Sequence, residues 1–221
     1  ALAKNLEGEH CVALDIGPIG QLLEPLGTLD FHTAYEYFKE QVVAGTNAGA
    51  DLILIETISD IYEAKIAVLA AKENCNLPIF CTMTFEDNKR TLTGTTPLII
   101  VEVLQGLGVD ALGINCSQGP KQIKEIANDI FKCSRIPVII QRNAGLPIFK
   151  DGNTVYSLDN GEFAKELSDI ALLGGVIFGG CCGTDPSYIK SLKEVLKHIK
   201  PKKLKVPIDT IVASSAGTVY S

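Results

Sequence analysis

Six short apolar runs separated by helical patterns constrain the fold more than any other feature of this chain. Most of the runs are apolar over most of their length, as expected for parallel strands covered on both faces. Helix starts are readable between them: Asp60 with Glu63 forms a capping box, and Thr96 and Asp185 each precede a proline. This β–α alternation predicts a parallel sheet with right-handed crossovers. We predict strands over residues 11–17, 51–57, 78–85, 111–117, 137–143 and 175–180.

Polar or reactive residues occur at the carboxyl ends of most predicted strands. A (β/α)8 TIM barrel builds its active site from the loops at that end, whereas an open sheet concentrates functional residues at one switch point. No GxGxxG motif follows the first strand, so a dinucleotide-binding sheet is disfavoured. Only about six of the eight β/α units are recognisable, and we expect the first two to be missing. We assign residues 1–200 to the barrel and 201–221 to a linker toward a following module.

Three cysteines form the most specific pattern in the chain. Cys116 ends the run ALGINC, and Cys181 and Cys182 lie in the glycine-rich turn GGCCGT, 65 positions further on. Thiolates at the ends of separate strands can converge on one zinc ion, and three of them leave a fourth position open, as in catalytic zinc sites. Alternatives are ordinary core cysteines, a strained vicinal disulfide and a phosphate-binding turn before a helix. Zinc is favoured because the flanking glycines supply no packing and cysteine does not bind phosphate.

Three further residues at strand ends are candidates for the site. Glu56 ends the run LILIE, where a carboxylate beside a metal could bind a substrate ammonium group, although a salt bridge or a helix-start role is also open. Asp15 in DIGPIG is a second candidate substrate-binding carboxylate, but an aspartate before glycine and proline is often a turn residue. Asn143 in QRNAG could simply hydrogen-bond a nearby backbone group.

Composition limits the partners and the location that we expect. The net charge of −6 and the pI near 5.1 argue against nucleic acid as a partner. No apolar stretch approaches the roughly 18 residues of a membrane helix, and no signal peptide is recognisable. Seven cysteines, an odd number in a core-rich chain, predict a reduced cytoplasmic protein rather than a disulfide scaffold.

The motifs DIGPIG, ETISDIYEAKIAVLAAKE, MTF with TLTGT, ALGINCS, NAG and FGGCCGT together resemble the homocysteine S-methyltransferase family. The resemblance spans nearly the whole chain and is greatest to the homocysteine-binding module of cobalamin-dependent methionine synthases. It implies a (β/α)8 barrel in which Glu56 holds the amino group of homocysteine. It also implies that the side-chain oxygen of Asn143 fills the fourth zinc position until the substrate sulfur displaces it. The zinc ligands would be Cys116, Cys181 and Cys182.

The resemblance also implies a reaction and its partners. Homocysteine would be activated as a zinc thiolate and methylated to methionine, with methylcobalamin on another module as the donor. Cobalamin- and folate-binding modules of the same polypeptide are therefore expected, and residues 201–221 resemble the connection to the folate module. Arg142 stands where the family usually has a proline, which bears on the geometry of that turn. Nothing matches the family's first-strand substrate-binding aspartate, as expected for a chain that begins near the third unit, and we expect this chain alone to be inactive. Alternatives are a stand-alone enzyme using betaine or S-methylmethionine, a phosphate-binding barrel lyase or isomerase, and a non-catalytic zinc or homocysteine sensor.

Overall fold

A six-stranded parallel sheet forms the centre of the protein, for which a computed structural model describes residues 8–117, 120–150, 152–200, 202, 211–214 and 217–220. The spatial order of its strands is β1 (Ala13–Ile16), β2 (Leu52–Ile58), β3 (Ile79–Met83), β4 (Ala111–Cys116), β5 (Val138–Arg142) and β8 (Ile177–Gly180). All six predicted strands are confirmed. Two strands that the sequence did not predict, β6 (Pro147–Lys150) and β7 (Asn153–Tyr156), form a separate antiparallel hairpin.

The described residues form six helices, one after each strand of the parallel sheet, and their first turns follow from the sequence. They are α1 (Phe31–Asn47), α2 (Ile61–Asn74), α3 (Pro97–Gly106), α4 (Pro120–Cys133), α5 (Asn160–Ala171) and α6 (Pro186–Leu196). The carboxylates of Asp30, Asp60, Asp159 and Asp185 each accept a hydrogen bond from a backbone N–H of the first turn. These bonds satisfy donors that a helix leaves unpaired at its start.

Two predicted helix starts differ from the structure in detail. Asp60 accepts from Tyr62 N at 3.0 Å, but Glu63 does not complete the capping box. Glu63 Oε1 instead accepts from Ile19 N at 2.7 Å, so the partner of this carboxylate is the loop after β1 and not the backbone at the start of its own helix. Thr96 precedes Pro97 as expected, yet its side chain makes no capping hydrogen bond.

The sheet is curled into a half-barrel, with the six helices packed around it. Its central strands are almost completely buried, and Ile53, Leu112 and Ile140 have no exposed surface. Within the described residues, the edge strands β1 and β8 each pair with only one neighbour. The six units agree with the six predicted from the sequence.

A second hairpin lies in the C-terminal segment that we assigned to a linker. Strands β9 (Ile211–Ala213) and β10 (Thr218–Tyr220) pair antiparallel, and β9 contacts α3. Among the residues that the structure describes, no helix is both long and apolar enough to cross a bilayer.

Candidate metal and substrate site

The three predicted cysteines meet at the carboxyl edge of the curled sheet. Cys116 is the last residue of β4, and Cys181 and Cys182 follow β8, with β5 lying between these strands. The Sγ–Sγ distances are 2.8 Å for Cys116–Cys181, 3.6 Å for Cys116–Cys182 and 4.0 Å for Cys181–Cys182. Within the described part of the chain, they form the one group of ligand atoms close enough to share a metal ion.

An unusual backbone conformation turns Cys116 toward its partners. In a regular strand, Asn115 and Cys116 would point to opposite faces of the sheet. Cys116 has a φ of 55°, in the left-handed region that residues other than glycine rarely adopt. This rotation lets Asn115 and Cys116 both approach Cys181. Strained backbone of this kind persists only where the surroundings enforce it, and it is concentrated at functional sites.

The turn that carries the cysteine pair is fixed to the end of β5. Cys181 N donates to Arg142 O at 2.8 Å, and Ala144 N donates to Cys182 O at 2.9 Å. Gly183 has a φ of 77°, and a Cβ atom there would lie 2.2 Å from the ring of Tyr156. The glycine after the pair is therefore required both by the backbone conformation and by the close approach of the β6–β7 hairpin.

Contacts among the three cysteines favour ionisation of the Cys181 thiol in the absence of a metal. The hydrogen bond from Cys116 holds the pKa of the Cys181 thiol below its usual range, helped by Asn115 and by the backbone N–H of Cys182. The same hydrogen bond, together with burial, raises the pKa of Cys116. The Cys181 thiol is therefore easier to ionise than the Cys116 thiol.

The donor set fits zinc. A tetrahedral site with Zn–S bonds of about 2.3 Å places its sulfurs about 3.8 Å apart. The two distances to Cys182, 3.6 and 4.0 Å, are close to this value, and the 2.8 Å Cys116–Cys181 distance requires about 1 Å of side-chain movement. An all-sulfur set suits zinc and disfavours magnesium or calcium, which prefer oxygen.

Glu56 lies in the same concave mouth. It precedes Thr57 at an irregularity in the β2–β3 pairing, and Gln141 Nε2 on β5 donates to its Oε2 at 3.4 Å. This contact spans two intervening strands and is possible only because the sheet curls. Burial, with smaller contributions from the negative charges of Asp15 and Cys181, raises the pKa of Glu56 to about 7, and the hydrogen bond from Gln141 opposes this shift. Asp15 itself is exposed, and partial desolvation raises its pKa.

Asn143 and Arg142 occupy the junction between β5 and the cysteine turn. Asn143 Oδ1 accepts a hydrogen bond from Cys182 N at 3.0 Å, so its oxygen contacts the backbone of a proposed ligand. Arg142 is 2% exposed, pairs with Glu166 and lies 5.9 Å from the ring centroid of Phe163. Arg142 supplies the carbonyl that accepts from Cys181 N and forms an ion pair with Glu166 on α5.

The sequence reasoning missed Asn115 and the residues that surround it. Asn115 is 1% exposed and hydrogen-bonds Thr57 on β2, Thr82 on β3 and Cys181 after β8. The available signal was an asparagine inside the otherwise apolar run ALGIN. A buried amide needs hydrogen-bond partners, and here they come from three other segments of the chain.

The phosphate-binding alternative is disfavoured at the turn that suggested it. The GGCCGT turn does lead into α6, but Asp185 caps that helix by accepting from Ser187 N at 2.7 Å. Hydrogen bonds from the helix start keep the pKa of Asp185 below its usual range. An ionised carboxylate therefore occupies the helix N-terminus and would repel a phosphate.

Comparison with known proteins agrees with this geometry. Residues 1–196 match the model of the homocysteine S-methyltransferase family. The chain belongs to this family. It is 32% identical over 205 residues to methionine synthase of Mycobacterium tuberculosis, covering 90% of this chain but only 17% of that relative.

Solved structures of a second relative have the same fold. The apo form of the homocysteine methyltransferase MmuM from Escherichia coli superposes with a TM-score of 0.70 at 24% identity, covering 88% of this chain and 66% of that one. Its metallated form gives a TM-score of 0.60 at 25% identity, covering 72% and 51%. Both comparisons support the barrel-type α/β fold that the sequence predicted.

Proposed function

We propose that this protein binds homocysteine and presents its sulfur, as a zinc thiolate, for methylation to methionine. The observation that carries the proposal is the convergence of three thiols, within 4.8 Å of one another, at the strand edge of a homocysteine S-methyltransferase fold. Cys116, Cys181 and Cys182 would hold the zinc, with the fourth position left for the substrate.

Two further residues have proposed roles in substrate binding. Glu56 faces the same mouth, and its surroundings disfavour its negative charge, so a substrate ammonium group would find an uncompensated carboxylate there. Asp15, whose charge acts on Glu56, is proposed as a second carboxylate for the same group. Asn143 Oδ1, which contacts Cys182 N, is proposed to occupy the fourth metal position before homocysteine arrives.

The thiolate set explains how the bound sulfur would remain reactive. A free thiol has a pKa near about 8.5, so little of it is ionised at neutral pH. Bound zinc would remove that proton and hold the sulfur as a thiolate. Three cysteinates outweigh the charge of a divalent ion, which leaves the substrate sulfur electron-rich. The role of the chain is to position this sulfur and to orient the amino group of the substrate.

The methyl donor and the partner modules belong to the proposal as well. Methionine synthase of Mycobacterium tuberculosis is much longer than this chain, which spans 17% of it. We propose methylcobalamin on another module as the donor and cytoplasmic cobalamin- and folate-binding modules of the same polypeptide as partners. Residues 1–200 would be the homocysteine-binding unit and residues 201–221 the connection onward. The second candidate function is that of a stand-alone homocysteine methyltransferase using betaine or S-methylmethionine; the fold of this chain is shared with MmuM, which is a homocysteine methyltransferase.

Metal analysis of the purified protein tests the central step. We expect about one zinc per chain, which falls at least tenfold in Cys116→Ser and Cys182→Ser, because each variant removes one of three ligands. Cys133→Ser, at a half-buried cysteine in α4, is the matched control and should retain zinc. In calorimetry, homocysteine should bind only the zinc-loaded forms. Full zinc content in both site variants would refute the proposed metal centre.

A further inference from the structure

The amide of Asn115 connects the proposed metal ligands to the backbone beside Glu56. Its Oδ1 accepts from Thr57 N and from Thr82 Oγ1, each at 2.8 Å. Its Nδ2 donates to Thr57 Oγ1 at 2.6 Å and to Cys181 Sγ at 3.7 Å. Both hydrogens of the amide therefore have acceptors, and its oxygen accepts two hydrogen bonds.

These contacts determine which way the amide faces. The backbone N–H of Thr57 can only donate, so the atom of Asn115 that meets it must be the oxygen. A flipped amide would place two donors against each other at Thr57 and would leave the Cys181 sulfur facing an oxygen instead of a donor. The NH2 group must therefore face the sulfur.

We propose that Asn115 is a positioning residue that shields the Cys181 sulfur, keeping it a metal ligand and preventing it from being alkylated in place of the substrate. This inference rests on the proposed function. A metal site of this kind holds three cysteine sulfurs beside the substrate sulfur, and an alkylating donor could attack any of them. An N–H···S hydrogen bond stabilises the thiolate lone pair more than it stabilises an alkylated sulfur, so it slows alkylation of Cys181.

Asn115 also reaches toward the substrate-binding side of the mouth. Thr57 has a φ of 64°, which is unfavourable for a β-branched residue, and both its backbone N–H and its hydroxyl are held by Asn115. Glu56 immediately precedes it. The same amide thus fixes the backbone from which the Glu56 carboxylate projects and orients the sulfur of Cys181.

Alkylation mapping of the zinc-loaded protein tests this role directly. With iodoacetamide, the sulfur lone pair forms an S–C bond and iodide leaves, and peptide mass spectrometry reports the rate at each cysteine. We expect the rate at Cys181, relative to Cys182, to rise about tenfold or more in Asn115→Ala and in Asn115→Asp, because both variants lack the donor. Asn74→Ala and Asn74→Asp, at a half-buried asparagine at the end of α2, should leave the ratio unchanged.

The two Asn115 variants differ in what they preserve. Asp keeps both acceptor contacts to Thr57 and Thr82 and is the variant expected to fold, whereas Ala removes the donor without adding charge. An unchanged Cys181-to-Cys182 ratio in a zinc-loaded Asn115 variant overturns the inference. Zinc content is measured on the same samples, so a wild-type protein without zinc would instead refute the proposed function.

The charge-transfer band of the cobalt-substituted protein provides a second readout. Loss of the N–H···S bond raises the energy of the sulfur lone pair, so the sulfur-to-cobalt band should shift to longer wavelength in both Asn115 variants. A purely structural role would not move this band in a folded, metal-loaded protein. A band unchanged from wild type would count against the shielding role.

Discussion

The Glu56 carboxylate is held in surroundings that oppose its charge. It is partly buried, it lies near Asp15 and Cys181, and its one hydrogen bond in the described residues, from Gln141, is 3.4 Å long. Burial, followed by the charges of Asp15 and Cys181, raises its pKa from an ordinary value of 4.5 to about 7, although the Gln141 hydrogen bond acts in the opposite direction. A cationic substrate group would offset the free-energy cost of ionising Glu56, so the site is better suited to an ammonium group than to an anion.

The raised pKa of Glu56 predicts a specific pH dependence of stability. Because the pKa is higher in the folded state than in the unfolded state, stability is lost as pH rises from about 4.5 to about 7. Glu56→Gln lacks this loss. In urea titrations, we expect the free energy of unfolding of Glu56→Gln minus that of wild type to be clearly larger at pH 8 than at pH 5. Glu40→Gln, at an exposed position in α1, should show no such change. A constant difference for Glu56→Gln would contradict the assignment.

The junction between β5 and α5 depends on one buried cation. Arg142 is 2% exposed and pairs with Glu166, while its Nε has no hydrogen-bond partner among the described residues. The same residue accepts the hydrogen bond of Cys181 N through its carbonyl. Anchoring Arg142 therefore also anchors the strand end on which the cysteine turn rests.

Removing the partner of Arg142 should destabilise the protein. Glu166→Gln leaves a buried guanidinium without its counter-charge, and we expect a loss of about 2–3 kcal/mol, below the full cost of breaking a buried pair because Glu166 is partly exposed. Urea unfolding measures the change. Asp169→Asn, an exposed position on the same helix, should alter stability by less than about 0.5 kcal/mol. Equal effects of the two substitutions would show that the ion pair contributes nothing.

The six-stranded sheet brings the site residues together but surrounds them on one side only. Strands β1 and β8 each have a single neighbour in the described residues, and the cysteine turn follows β8 at one edge. A closed barrel would surround the mouth with strand ends and exclude water from the reacting sulfur. Unpaired edges of this kind also favour pairing with other strands.

This open geometry predicts binding without turnover. The 221-residue protein should bind zinc and homocysteine but transfer no methyl group from methylcobalamin above the uncatalysed rate, because the sulfur is not enclosed. Product formation by the zinc-loaded protein, compared with protein-free and Cys182→Ser reactions, measures this. Sustained turnover by the isolated chain would show that a half-barrel is sufficient.

Sequence alone determined the six strands of the parallel sheet and the edge of that sheet at which the candidate site residues lie. Apolar runs such as LILIE and helix starts such as Asp60 and Asp185 are local signals, and the structure confirms them because burial and capping act on neighbouring residues. Parallel strands then place their carboxyl ends together. This is why the meeting of Cys116 with the Cys181–Cys182 pair was predictable across 65 positions.

Tertiary structure decided the contacts that depend on the curl of the sheet. Asn115 reaches β2 and the turn after β8, Glu63 hydrogen-bonds Ile19 instead of its own helix start, and Cys116 adopts a left-handed backbone. None of these has a local signature, because each partner is supplied by a distant segment. The sequence specifies which side chains are present at the strand ends, and only the packed sheet determines which of them touch.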